Sequence, residues 1–207
     1  MNNLYDLSGH GYDMRRIGNF FTAPAASNGG FGGRETIKFD GSKDGLRNSG
    51  STPNAPGPWS MVIVYQSVGT PTAGDCLFAS DNTGGNDTFN LFHTAAGGPL
   101  EIHYKSSNGT LGTIQAESAG GNTSPSIITL NSDGVDYMET FHNGVFVASA
   151  NVASGFIGWI KAYRLGIDDA GDGPKNMYFA ELRLYNAVLT NAQRSYYENY
   201  LMWKWGI

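Results

Sequence analysis

One cysteine, Cys76, occurs in the 207 residues. No disulfide can close within the chain, which excludes a disulfide-stapled scaffold. A domain of this size can bury a sizeable core without such a bridge, so the compartment is left open. Charge is also scarce: Asp, Glu, Lys and Arg make up 15% of the residues, 13 basic against 18 acidic, for a net charge of −5. There is no basic run and no basic helix. Nucleic acid is therefore not an expected partner, because such binding rests on neutralising phosphates. No apolar stretch reaches the roughly 18 residues that a membrane helix needs, so no membrane insertion is expected. Met1–Ser8 has neither a basic nor an apolar region and does not read as a signal peptide. That fits either removal of a leader or assembly in a cytoplasm.

What the chain has instead is 29 Gly and a large aromatic share of 11 Tyr, 11 Phe and 4 Trp. Many short strands joined by turns suit this composition better than a helix bundle does. Trp59–Val68 is the strongest strand signal. It is apolar on both faces at its centre, which predicts a mid-sheet strand covered on both sides. Glu35–Gly41 predicts a short strand with Ile37 and Phe39 on one face. Cys76–Ser80, Thr88–Thr94, Leu100–Lys105, Gly112–Glu117, Ser126–Leu130, Val135–Phe141, Ala162–Ile167 and Met177–Asn186 follow as further strands. The turn signals between them recur about every ten residues, the rhythm of a sandwich. Asn143-Gly144 predicts a type I′ hairpin. Thr22–Gly33 and Asp44–Pro58 read as loops. After the last strand, Thr190 and Gln193 have capping-box spacing and open a helix. Tyr196, Tyr200 and Trp203 share one face of it, a spacing that predicts packing. No repeat or linker divides the chain, so residues 1–207 are expected to form one domain.

Four segments carry a resemblance. They are the opening turn Leu4–Gly11, the Phe39-Asp40-Gly41 segment, the Phe141–Val145 hairpin, and the closing strand and helix from Met177 to Ile207. In this order the chain resembles laminin-G-like domains of the concanavalin A-like lectin and glucanase class. The resemblance implies an all-β fold: an antiparallel two-sheet jelly-roll β-sandwich with a short C-terminal helix. Lectins, glycosidases and viral surface proteins share that fold, so it does not name a function by itself.

Glycosidases on this scaffold use two carboxylates, and the laminarinase-like pattern is Glu-x-Asp-x-x-Glu. No Glu-x-Asp or Glu-x-Glu occurs in the chain. Asp136 and Glu139 differ by an odd number and would face opposite sides of a strand. Glu181 is expected to share a face with Phe179 and Arg183 and to pair with Arg183. His10, His93, His103 and His142 have no metal-ligand spacing. His93 and His103 read as surface histidines of a polar sheet, although adjacent strands could bring them together. No enzyme is expected; a glycoside hydrolase or lyase with carboxylates from separate strands is the alternative.

Two polar segments are candidate sites. Asp168, Asp169 and Asp172 offer hard oxygen ligands of the kind calcium takes, and a solvated acidic turn is the competing reading. Sugar recognition needs an aromatic platform and planar polar groups. Tyr104 and Trp159, with Asp81, Asn82 and Asn86, are the candidates for it. Trp59, Trp203 and Trp205 read as structural. The expectation drawn from all this is a non-catalytic lectin-like module on a bacteriophage virion surface. As a capsid decoration, head fibre or tail component it would meet capsid or tail proteins, host surface glycans and further copies of itself. The alternatives are a carbohydrate-binding lectin domain, secreted or at a cell surface, and the glycosidase.

Overall fold

The computed structural model describes residues 3–4, 14–16, 24–42, 44–48, 57–81, 89–105, 111–118, 123–151, 162–167, 173 and 175–207. Its strands are β1 (Asn3–Leu4), β2 (Met14–Arg16), β3 (Ala25–Ser27), β4 (Thr36–Asp40), β5 (Leu46–Asn48), β6 (Trp59–Ser67), β7 (Cys76–Asp81) and β8 (Phe89–His93). They continue with β9 (Leu100–Lys105), β10 (Leu111–Gln115), β11 (Ser126–Ser132), β12 (Tyr137–His142), β13 (Val145–Asn151), β14 (Ala162–Leu165) and β15 (Asn176–Tyr185). One α-helix, α1 (Asn191–Trp205), closes the described chain. The strands form two antiparallel sheets, ordered β1-β2-β5-β14-β7-β8-β9-β10 and β13-β12-β11-β6-β15-β4-β3. This is the two-sheet sandwich expected from the sequence. The four strands that were not expected are short, with two residues in β1 and three each in β2, β3 and β5. Such short stretches carry too little alternation to be read against their Gly and Pro neighbours.

Two cores explain why β6 is apolar on both faces. Trp59, Met61, Ile63 and Tyr65 point between the sheets, where they meet Phe78, Leu91, Ile102 and Leu165. Val62 and Val64 point the other way and join Ile127, Phe31, Leu189, Leu201 and Trp205 beneath α1. Each buried Val, Leu or Phe contributes about 1.5–3 kcal/mol. The second core therefore holds the helix flat on the outer face of the β6 sheet. The helix covers a face of the sandwich and does not plug one of its ends.

Local signals set the details. Asn143 (φ 49°) and Gly144 (φ 82°) make the predicted hairpin turn, and the Asn143 side chain accepts a 2.7 Å bond from Ile127 N–H. Thr190 and Gln193 form the predicted capping box, and Gly206 ends the helix in the left-handed region. A bulge interrupts β15 between Phe179 and Glu181 where it pairs with β6. Met177 and Phe179 face the inter-sheet core. Beyond the extra residue, Glu181 faces the helix, where it meets Lys204 and Trp205. The expectation that Phe179 and Glu181 share a face is therefore overturned by the bulge, which shifts side-chain phase by one.

Candidate functional site

Of the residues expected to bind sugar or calcium, Asn82, Asn86, Trp159, Asp168, Asp169 and Asp172 lie outside the described residues. Asp81 is described as backbone only, pairing with Ala162 across β7 and β14. Tyr104 is described, and it is not a platform. It is 6% exposed and belongs to the inter-sheet core. Its ring lies over Gly112 on the neighbouring strand, where even a methyl group would collide with it. The bare Gly112 backbone and the tyrosine ring fit one another, which is a packing role.

The histidines also separate. His93 is fully buried and Nδ1 bonds Gly98 O at 2.9 Å, so it is not a surface residue. His103 pairs in register with Asn90 rather than with His93. It stacks edge-on against Phe92 with ring centroids 4.3 Å apart.

The carboxylates are engaged in ways that suit structure. Glu117 accepts a short bond from the Tyr65 hydroxyl and a 3.2 Å bond from Leu100 N–H. Glu198, 2% exposed, accepts from Thr129 Oγ1 and Arg194, each at 2.7 Å. The Arg194 guanidinium lies 3.7 Å over the Phe141 ring. Burial pushes the acidities of Glu117 and Glu198 toward the neutral form, against the hydrogen bonds they accept. Among the described residues, no three His, Cys, Asp or Glu side chains gather as a metal site would require.

Lys175 completes a buried polar cluster with Tyr65, Glu117 and His93. It has no solvent exposure, its Nζ finds no hydrogen-bond acceptor among the described residues, and it sits 5.5 Å from the Tyr65 ring centroid. Burial lowers its pKa to about 8, opposed by the charges of Asp75 and Glu117. Burial, with the nearby Lys175 charge, lowers that of His93 to about 4. All four of these side chains are buried.

The exposed surface holds the better candidate. Trp203 is 76% exposed, Tyr196 69% and Tyr200 38%. They sit at i, i+4 and i+7 and form one ridge along α1. At about 1.5 Å rise per residue, that ridge is on the order of 10 Å long. The face buried against the sheet consists instead of Arg194, Glu198, Leu201 and Trp205. The expected packing role of Tyr196, Tyr200 and Trp203 is thus reversed: a charged pair is inside and an aromatic row is outside. Trp59 and Trp205 are buried as expected, at 5% and 8% exposure.

The row is braced from below. Tyr200 and Trp203 lie 6.1 Å apart with planes tilted 41°. Arg183 reaches up from β15, its guanidinium 5.4 Å from the Tyr200 ring and 5.9 Å from that of Tyr197. Glu181 fixes this arrangement. It takes Arg183 Nε at 2.7 Å and NH2 at 2.6 Å on one oxygen, and Lys204 at 2.7 Å and Trp205 Nε1 at 3.1 Å on the other. Burial acts to raise the Glu181 pKa, but the bonds from Lys204 and Arg183 outweigh it and hold the carboxyl ionised. The expected Glu181–Arg183 pair is present, with two further partners from the helix. Asn199, also exposed, offers a planar amide beside the rings.

No family model and no curated protein sequence matches the chain. Solved structures do match in fold. The binding domain of botulinum neurotoxin DC in complex with SialylT superposes with a TM-score of 0.69 at 16% identity, over 95% of this chain and 48% of that one. The botulinum neurotoxin serotype D binding domain gives 0.68 at 14% identity, again over 95% and 48%. A structure of botulinum neurotoxin type C, whose cell entry is described as dependent upon interaction with two ganglioside molecules, gives 0.68 at 14% over 95% and 48%. This chain spans about half the length of each. At such identities the likeness establishes a shared fold.

Proposed function

We propose that this chain is a non-catalytic, lectin-like β-sandwich module that binds carbohydrate through the aromatic row on α1. One observation carries the reading: the 76% exposure of Trp203 in a continuous row with Tyr196 and Tyr200. Exposing such rings to water is unfavourable, and a braced ring face beside a planar amide suits the apolar face and hydroxyls of a sugar. The fold supports the reading, because its structural neighbours include proteins described with SialylT and gangliosides. The engagement of Glu117, Glu181 and Glu198 in structural bonds supports a non-catalytic role. In this reading Asp81, Asn82, Asn86 and Trp159 provide a second sugar contact, and Asp168, Asp169 and Asp172 hold calcium.

A glycan array followed by titration of a soluble hit tests the proposal. Trp203→Ala should weaken binding at least about fivefold, the equivalent of one lost aromatic contact of about 1 kcal/mol. Failure to bind any glycan, or binding indifferent to Trp203, refutes it. Binding unaffected by a chelator removes the calcium part alone.

A second reading places the module on a bacteriophage virion surface, against capsid or tail proteins. It is favoured by the sheet-edge strand β13, whose Val145 and Phe146 are 64% and 54% exposed. An apolar edge without charge or proline is the kind of surface a protein partner covers. Purified virions should then contain the chain at fixed copy number, and its absence from particles defeats this reading.

A further inference from the structure

The aromatic row is flanked by an unequal set of charges. Arg183 and Lys204 both bond the single carboxylate of Glu181, so two cations share one anion and a positive charge is left over. The other cation of the helix on this side of the molecule, Arg194, is buried and matched by Glu198. The excess therefore lies beside Tyr200 and Trp203, on a protein whose net charge is −5. Neither cation has exhausted its donors. An ammonium has three N–H groups and a guanidinium five, while Glu181 receives one bond from Lys204 and two from Arg183. Both side chains keep contact with solvent, at 35% and 27% exposure. Arg183 is held in place by the Tyr197 and Tyr200 rings. Lys204 lies one helical turn beyond Tyr200, its ammonium 5.0 Å from the Trp205 ring centroid.

We propose that the site prefers an acidic glycan, in which a sugar ring stacks on Tyr200 and Trp203 while its carboxylate or sulfate is received by Lys204 and Arg183. This rests on the carbohydrate-binding reading and refines it. Stacking supplies affinity for any sugar, whereas the surplus positive charge separates acidic sugars from neutral ones. The Glu181 carboxylate has a second role here. It fixes both cations toward the row, and by neutralising only one of them it prevents a like-charged cluster from splaying apart.

Matched probes test the inference: sialyllactose against lactose, and a galacturonate oligomer against its neutral galactose counterpart, titrated into the intact protein. The acidic member should bind more tightly, and its advantage should shrink as salt rises. Lys204→Gln should lower affinity for the acidic member about three- to tenfold, as for one partly exposed charge-assisted bond. Its effect on the neutral member should be smaller. Arg183→Gln should act in the same direction, and because Arg183 also braces the rings its effect is compared at equal thermal stability. Equal binding of acidic and neutral members, with both lost in Trp203→Ala, overturns the acidic preference and leaves the carbohydrate reading standing. No Trp203-dependent binding by either member overturns both. Acidic binding that survives Trp203→Ala and is matched by inorganic sulfate overturns the proposal in favour of simple anion attraction.

Discussion

Replacing Lys175 by Met should stabilise the protein, although it removes a charge that has carboxylates nearby. The native side chain is fully buried, and its ammonium makes no hydrogen bond among the described residues. Its folded pKa of about 8 lies below its ordinary 10.5. Near neutral pH it is protonated in both states, so the folded protein carries the full burial penalty. At about 1.4 kcal/mol per pKa unit, that penalty is about 3 kcal/mol. The unfolded chain holds its proton up to pH 10.5 while the folded chain releases it near 8. Native stability therefore rises with pH between those values. Above about pH 10 the trend turns over, because Tyr65 resists ionisation where an unfolded tyrosine does not. Lys175→Met removes the penalty and keeps the volume. It should gain about 2–3 kcal/mol near pH 7 and lose the alkaline rise. Urea unfolding followed by tryptophan fluorescence, at about pH 7 and about pH 9.5, measures both effects. A variant less stable than the native chain at neutral pH, or an unchanged alkaline rise, refutes the reasoning.

His93 acts in the acid range. Its folded pKa of about 4 is below the unfolded 6.5, so the unfolded chain gains the proton first. Stability should then fall as pH drops between those values, by about 3 kcal/mol from this residue. His93→Phe should flatten that limb in urea titrations, while Glu117, whose pKa is raised by burial, pulls weakly the other way. Gly112→Ala should displace the Tyr104 ring and cost about 1–3 kcal/mol by thermal melting, despite the mildness of the substitution. Gly112→Ala combined with Tyr104→Ala should cost less than the sum of the two singles, since both act on one contact. Trp203→Ala, by contrast, should change stability by no more than about 0.5 kcal/mol, because the ring is exposed.

The sandwich was legible because β6, β11 and β15 are long enough to show their patterns, and because Asn143-Gly144 and Thr190/Gln193 are local chemistry that tertiary context did not override. The candidate site was not, for a reason visible in α1. Its sequence carries two stripes, an aromatic one of Tyr196, Tyr200 and Trp203 and a mixed one of Arg194, Glu198, Leu201 and Trp205. Aromatic content alone favours burying the first. The outer face of the sheet decides otherwise, because it presents Thr129 to Glu198 and Phe141 to Arg194. A charged pair that finds such partners can be buried, and the aromatic stripe then faces solvent. That choice depends on residues some sixty positions away. Tyr104 failed as a sugar platform for a similar reason: its role is set by Gly112, a neighbour created by strand pairing.

The bulge in β15 makes that strand two segments written in opposite phase. Met177 and Phe179 face the inter-sheet core before it and Leu182 packs there after it, while the helix side passes from Tyr178 and Ala180 to Glu181 and Tyr185. Leu182 apart, the residues after the bulge are free of the sandwich interior. The exposed Tyr196, Tyr200 and Trp203 can therefore change without disturbing the buried stripe of Arg194, Glu198, Leu201 and Trp205 that seats α1 on the sheet.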